Sequence, residues 1–285
     1  MPYSSGLYEY LFDIEGAVTG SMGAAREVLR HGEVSNYRAR TITSGQMLEV
    51  EAYPIWRTQT EARRAKGHES RTAQKNLNAK NARKRFVRKI NANFTEEDLC
   101  ITLTYAGEPP NLEQARKDMQ NYIRRVRNWR QKRGMPELKY VYVIEYEDEG
   151  KKRRIHHHVI MSGMDRDAAE TLWGKGWANT KRLQPDEHGL EAVARYIIKN
   201  PRGSKRWSAS RNLVEPRETV ADKKLSRRQV ERMAQGLEES ACAIFSKLYP
   251  NHEFIDCTLK RSEFVAGAYV YARMHMKTDR KKVMR

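Results

Sequence analysis

Alternating apolar and polar positions are clearest in the middle of the chain. Leu99–Tyr105, Lys139–Glu147 and Arg154–Met161 are rich in β-forming residues, and the turn-forming segment Asp148–Lys152 separates the last two. These runs predict three strands, the last two paired as an antiparallel hairpin. A fourth strand is predicted over Trp177–Leu183.

Three other segments repeat apolar residues every three or four positions, which is typical of helices packed on a core. The longest runs from Leu112 to about Lys132 and is preceded by Asn111, a favourable N-cap. Shorter helices are predicted from Asp165 and over Leu190–Asn200. Residues 97–200 therefore predict the order β-α-β-β-α-β-α, an α/β sandwich with an antiparallel sheet.

The flanking segments predict further elements. A hairpin is expected from Tyr37–Thr43 and Met47–Tyr53, with Pro54 ending its second strand, and residues 58–93 are expected to be helical. Near the C-terminus, the pattern predicts a helix over Leu225–Glu239 and two strands. We expect three parts: residues 1–95 (a loosely docked arm, a β-hairpin and a basic helix), a core of 96–215, and a helix with a β-hairpin over 216–285.

Charge narrows the function classes. The 285-residue chain has a net charge of +18 and a pI near 9.8, which favours a polyanionic partner, nucleic acid before membrane. No apolar run approaches the roughly 20 residues needed to span a bilayer, and the N-terminus has no signal-peptide pattern. The three cysteines are scattered, so we expect a cytoplasmic protein without disulfides.

Two basic segments are candidate nucleic-acid contacts. Residues 62–90 contain eleven Lys or Arg and one acidic residue, which favours phosphate contact over a merely solvated helix face. A later loop combines positive charge with an aromatic ring. The candidate DNA-binding residues are Arg83, Lys84, Arg85, Lys205, Arg206, Trp207 and Arg211.

Three consecutive histidines occur inside the apolar strand run Ile155–Met161. Because alternate side chains of a strand share a face, His156 and His158 point to one side and His157 to the other. Two imidazoles on one face are a possible pair of metal ligands, and a hydrogen-bonded cluster without metal is the alternative. His157 would pack towards helices, where it needs a hydrogen-bond partner.

The preceding strand offers a carboxylate as the third ligand. Glu145 and Glu147 share a face, and Glu145 is the favoured ligand; either could instead pair with Arg153 or Arg154. One carboxylate and two imidazoles leave open positions, which suits Mg²⁺ or Mn²⁺. A structural zinc site would need a fourth protein ligand, and none is evident from the spacing.

A possible nucleophile lies about forty residues further on. Tyr196 and Lys199 are three positions apart, so they are neighbours on one helix face. A tyrosine hydroxyl beside a metal could attack a phosphodiester, and the lysine could neutralise phosphate. The alternative is a core tyrosine beside a solvated lysine.

Together these segments carry a family resemblance. Thr102-Leu103-Thr104-Tyr105 on a strand, His156-His157-His158 on a strand and Tyr196-Ile197-Ile198-Lys199 in a helix resemble, in order and element type, the three motifs of HUH endonucleases. The nearest resemblance is to rolling-circle replication initiators of phages and plasmids, over about residues 97–215. It implies an α+β fold with a ferredoxin-like five-stranded antiparallel sheet and helices packed on it.

The resemblance also implies an activity. Metal ligands would be His156, His158 and Glu145, and Tyr196 would nick single-stranded DNA at a replication origin, leaving a 5′-phosphotyrosine and a free 3′-OH. Host helicase and polymerase are implied partners. The chain departs from the family at His157, where a hydrophobic residue is usual, and at Asn200, where phage-type members often carry a second tyrosine. We therefore expect a single-tyrosine enzyme.

Two other functions fit the same residues. A transposase of the same superfamily would share the chemistry. A non-catalytic nucleic-acid-binding protein would use the histidines structurally and stack Tyr196 on a base.

Overall fold

A computed structural model of the protein describes residues 32–57, 71–108, 110–146, 155–198, 207–262 and 265–277. The chain divides into two compact units, one from Met1–Arg85 with Pro216–Arg285 and the other from Phe86–Glu215. Each contains a five-stranded antiparallel sheet, so the predicted α+β class is confirmed. No helix of the described segments is long and apolar enough to cross a membrane.

Ten strands and six helices are seen in the described residues. In chain order they are β1 (Val34–Ser44), β2 (Met47–Trp56), α1 (Arg71–Asn93), β3 (Leu99–Thr104), α2 (Leu112–Gln131), β4 (Tyr140–Glu145), β5 (His156–Met161), α3 (Arg166–Thr171), β6 (Ala178–Arg182), α4 (Glu191–Ile197), β7 (Ser208–Ala209), β8 (Arg217–Ala221), α5 (Arg227–Gln235), α6 (Leu237–Leu248), β9 (His252–Ser262) and β10 (Val265–Met276).

The unit Phe86–Glu215 contains the histidine strand at the centre of its sheet. The strand order is β6-β3-β5-β4-β7, and all the pairs are antiparallel. The elements from β3 to α4 follow the predicted order β-α-β-β-α-β-α. Asn111 caps α2 as predicted, because its side chain accepts a hydrogen bond of 2.9 Å from the backbone N–H of Gln114.

Apolar side chains cover both faces of this sheet. Along β5, Val159 and Met161 belong to one core cluster and Ile160 to another, as the alternation of a strand requires. The first cluster packs against α2 through Met119, Tyr122 and Val126. The second packs against α4 and the C-terminal part of α1 through Phe86, Ile90, Ala194 and Ile197.

The other unit joins segments from both ends of the sequence. Its strand order is β8-β1-β2-β10-β9, so the hairpins that the sequence placed in separate terminal parts share one sheet. Helices α5 and α6 pack on it through residues such as Val230 and Phe245. The predicted single helix over Leu225–Glu239 is wrong, because Gly236 separates two helices.

The prediction that Pro54 ends the second strand is also wrong. β2 continues to Trp56, and Pro54 pairs with Tyr37 of β1. On the opposite side, the ladder between β2 and β10 ends at Ala52. Among the described strands, none therefore requires a backbone N–H from Pro54 on that side.

Some predictions fall outside the described residues. They concern the N-terminal arm up to residue 31, the first part of the basic helix (58–70), and the turn 147–154, which includes Glu147. They also concern residues 199–206, which include Lys199, Asn200, Lys205 and Arg206.

Candidate functional site

The sheet register brings the predicted metal ligands to one face. β5 lies between β3 and β4, and Glu145 of β4 is directly opposite His156. On the other side of β5, Thr102 of β3 is directly opposite His158. Because directly paired residues project from the same face, all four side chains belong to one surface.

Glu145, His156 and His158 form a compact triad of potential ligands. The Glu145 Oε2 atom is 2.9 Å from His156 Nε2 and 3.3 Å from His158 Nε2. One donor atom from each residue lies within 4.8 Å of the other two. His158 is buried, whereas the other two are half-buried. An anionic oxygen and two imidazole nitrogens that converge in this way fit a divalent ion with positions left for other ligands.

For His158 and Glu145 the pKa shifts favour the forms that metal binding requires, neutral imidazole and ionised carboxylate. Burial and the neighbouring His156 lower the pKa of His158. For Glu145, burial alone would raise the pKa, but the adjacent histidines outweigh it and the pKa lies below its ordinary value.

A threonine hydroxyl sits behind one of the two imidazoles. Thr102 Oγ1 is 3.3 Å from His158 Nδ1. If Nδ1 donates its hydrogen to this oxygen, the Nε2 lone pair remains available for a metal. Thr102 belongs to the first of the three sequence motifs, but the motif alone does not assign it a role. The pairing of β3 with β5 places Thr102 opposite His158 on the same face of the sheet, where its hydroxyl can orient the imidazole.

His157 lies on the opposite face and is fully buried. Its Nε2 atom is 3.1 Å from the Tyr105 hydroxyl, which lies 3.3 Å from Asp118 Oδ2. The Trp173 ring packs against the imidazole at 5.4 Å between centroids. Burial, with a contribution from His156, lowers the pKa of His157 to about 4, so this imidazole is neutral. The sequence predicts a hydrogen-bond partner for His157, but no local pattern identifies Tyr105 as that partner.

Tyr196 reaches the triad from α4. Its ring is 5.4 Å from the His158 ring at an interplanar angle of 76°, and the residue is 64% exposed. The alternative of a core tyrosine is therefore wrong. Ala194 and Ile197 anchor the helix in the core, and Asn91 of α1 accepts a 2.8 Å hydrogen bond from the Leu190 N–H at its start.

The described DNA-binding candidates have different surroundings. Arg83, Arg85 and Arg211 are exposed. Lys84 Nζ lies 3.4 Å from Glu51 Oε1 and 4.4 Å from the centre of the Tyr271 ring, so its charge is already engaged. Half-buried Trp207 packs on the Phe86 ring at 5.0 Å between centroids. Exposure therefore favours the three arginines as DNA contacts over Lys84 and Trp207.

One comparison with known proteins adds information about this region. Residues 98–201 match the sequence model of the family described as "Replication-associated protein ORF2/G2P". Neither a curated protein nor a solved structure matches the chain significantly. The matched segment contains the triad and Tyr196, and over this segment the chain is similar to replication-associated proteins.

Proposed function

We propose that this protein is a metal-dependent single-strand DNA endonuclease and ligase that starts rolling-circle replication. The observation that carries the proposal is the contact of the Tyr196 ring with His158, a member of the Glu145–His156–His158 triad. An exposed tyrosine beside a cluster of metal-binding side chains is the arrangement expected of the HUH endonucleases that the sequence resembles. The family match over residues 98–201 supports a replication role independently of this geometry.

The triad, Tyr196 and Lys199 have separate roles in the proposed reaction. The triad would hold one divalent ion, Mg²⁺ or Mn²⁺, which would polarise the scissile phosphate and stabilise its developing charge. Because Tyr196 is exposed, its hydroxyl is proposed to be accessible to a DNA strand that enters from solvent. Lys199, three positions further along the chain, is proposed to neutralise the phosphate.

The reaction is a phosphoryl transfer that conserves phosphodiester bonds. The Tyr196 oxygen forms a bond to phosphorus while the bond from phosphorus to the 3′-oxygen breaks. The tyrosine loses its proton and the released 3′-oxygen gains one, leaving a 3′-OH that a polymerase can extend. Attack by a 3′-OH on the phosphotyrosine reverses the chemistry, which accounts for ligation.

A gel assay tests the proposal. The protein is incubated with Mn²⁺ and a random-sequence library of single-stranded DNA labelled at the 3′ end, because the 3′ fragment would become attached to tyrosine. We expect a labelled protein band on a denaturing gel that disappears with EDTA and in Tyr196→Phe. Tyr146→Phe is the matched control, because Tyr146 directly follows Glu145 in sequence and has no role in the proposal.

Two outcomes would contradict the proposal. An adduct of equal yield from Tyr196→Phe would exclude this nucleophile. Tight DNA binding with no adduct under any metal condition would favour the non-catalytic binding protein, in which the 2.9 and 3.3 Å contacts of Glu145 with the histidines are purely structural.

A further inference from the structure

An exposed tryptophan lies on the same sheet face as the triad. Trp177 directly precedes the edge strand β6 and is 66% exposed. The metal-site hypothesis does not use it, and as a large exposed aromatic ring it contributes little to the core. Exposed aromatic rings near a polyanion-binding site are potential platforms for nucleic-acid bases.

The strand register places Trp177 in line with the triad. β6 pairs with β3 so that Leu103 is opposite Ala178 and Thr102 is opposite Asn179. The same register continues one residue further, because the Thr104 N–H donates a 2.8 Å hydrogen bond to the Trp177 carbonyl. Trp177 is therefore directly opposite Thr104.

Thr104 is in turn directly opposite His156, and His156 is opposite Glu145. The four residues form one row across the sheet, and directly paired residues share a face. Neighbouring strands are about 4.8 Å apart, so Trp177 starts roughly 10 Å from His156. If a DNA phosphate binds at the triad as proposed, a base close to that phosphate could reach the indole ring of Trp177.

The backbone that carries Trp177 is closely held. The Ala106 N–H donates a 3.1 Å hydrogen bond to the Lys175 carbonyl, so the segment is bonded on both sides of Gly176 to β3 and the residues that directly follow it. A Cβ atom at Gly176 would lie 2.5 Å from the Thr104 carbonyl oxygen, closer than real Cβ contacts. Gly176 thus permits a close approach of two backbones that fixes the position of the tryptophan.

Two further exposed residues extend the same surface along β6. Asn179 and Lys181 follow Trp177 at alternate positions, so they project from the same face, and both are exposed. Their partners on β3 are Thr102 and Cys100. We call Trp177, Asn179 and Lys181 the edge strip. It combines an aromatic ring, an amide and a positive charge, the side-chain types that bind bases and phosphates of a single strand.

We propose that the edge strip binds single-stranded DNA, with Trp177 stacking on a base close to the phosphate at the triad. The inference rests on the proposed function, since it takes single-stranded DNA as the ligand. It adds a specific base-binding position, Trp177, and a path that the DNA would follow along β6 to the triad.

The test measures binding without cleavage. A fluorescently labelled oligothymidylate of about 15 nucleotides is titrated with protein in EDTA, and anisotropy gives the affinity. We expect Trp177→Ala to weaken binding roughly tenfold and Trp177→Phe to retain most of the affinity, because a benzene ring still stacks. Trp129→Leu on α2 is the matched control, since α2 packs on the opposite face of the sheet, and its affinity should be unchanged.

Two additional measurements separate stacking from charge and from general damage. Lys181→Gln should lower the slope of log affinity against log salt by roughly 0.7, the value for one phosphate contact on a single strand. In the second measurement, an abasic nucleotide is placed at each position of the oligomer in turn. At the position that Trp177 contacts, the missing base should weaken binding to the unaltered protein but should not weaken binding to Trp177→Ala any further.

The outcomes distinguish this inference from the proposed function. If Trp177→Ala binds the oligomer as tightly as the unaltered protein, the edge strip is not a DNA site, even if the Tyr196 adduct forms. If Trp177→Ala weakens binding as expected and no adduct ever forms, the strip stands and the nuclease proposal fails.

Discussion

Replacing His157 should separate the structural histidine from the two proposed metal ligands. Its imidazole is fully buried, it contacts the Tyr105 hydroxyl at 3.1 Å, and the rings of Tyr105 and Trp173 pack around it. The side chain points away from Glu145, because it lies on the other face of β5. We expect His157→Ala to lower the free energy of unfolding while leaving metal affinity largely intact.

The expected change in the free energy of unfolding of His157→Ala has three contributions. Truncating a large buried side chain to alanine typically costs about 2–5 kcal/mol through lost contacts and the cavity left behind. Loss of the hydrogen bond with Tyr105 costs about a further 1 kcal/mol. Against this, Nδ1 of His157 is buried with no hydrogen-bond partner in the described part of the chain, and its removal returns about 1–3 kcal/mol. Taking the middle of each range, we expect a net loss of about 2–3 kcal/mol.

Two measurements on the same samples check this prediction. Circular dichroism should show a melting temperature lowered by roughly 6–12 °C for a unit of this size. Isothermal titration with Mn²⁺ should give an affinity close to that of the unaltered protein, whereas His158→Ala should bind far more weakly. The reasoning is refuted if His157→Ala melts normally and loses Mn²⁺ binding, since the imidazole would then face the metal.

Two other predictions concern a threonine beside the triad and the three cysteines of the chain. Thr102→Val removes the hydroxyl that contacts His158 and should weaken Mn²⁺ binding by roughly tenfold, as measured by isothermal titration. Thr104→Val is the control, because the Thr104 hydroxyl bonds the Trp177 carbonyl instead, and it should weaken Mn²⁺ binding less. An equal loss of Mn²⁺ affinity in both variants would exclude a positioning role for Thr102. Burial raises the pKa of Cys100 to about 11 and that of Cys257 to about 12, so both remain protonated near pH 8 and react slowly. Mass spectrometry after brief iodoacetamide treatment of the native protein should find Cys242, the exposed cysteine, alkylated first. Faster labelling of either half-buried cysteine, Cys100 or Cys257, would contradict this prediction.

Local sequence patterns were sufficient for the order of elements from β3 to α4, but β7 lies in a segment that was predicted to be a loop. β3, β4 and β5 have clear runs of β-forming residues, and Asn111 and Asp165 provide N-caps that mark the starts of α2 and α3. The pairing of Glu145 with His156 could also be anticipated, because a hairpin brings consecutive strands together. These features depend on residues close together in sequence.

Features that depend on distant segments could not be anticipated in the same way. The sheet that joins β2 to β10 pairs residues more than two hundred positions apart, and no local pattern encodes that choice. The contact of Tyr105 with His157 depends on the pairing of β3 with β5, strands separated by α2 and β4. The position of Trp177 in the row with the triad likewise required the register of β6 against β3.

The most direct test of the central claim is to identify the residue that carries DNA after cleavage. The adduct formed with Mn²⁺ and single-stranded DNA is digested with nuclease and trypsin, and the peptides are sequenced by mass spectrometry. The account predicts a nucleotide joined through a 5′-phosphate to Tyr196, and no adduct when Glu145 is replaced by Gln. A nucleotide attached to any other residue would contradict the claim that the triad and Tyr196 form one active site.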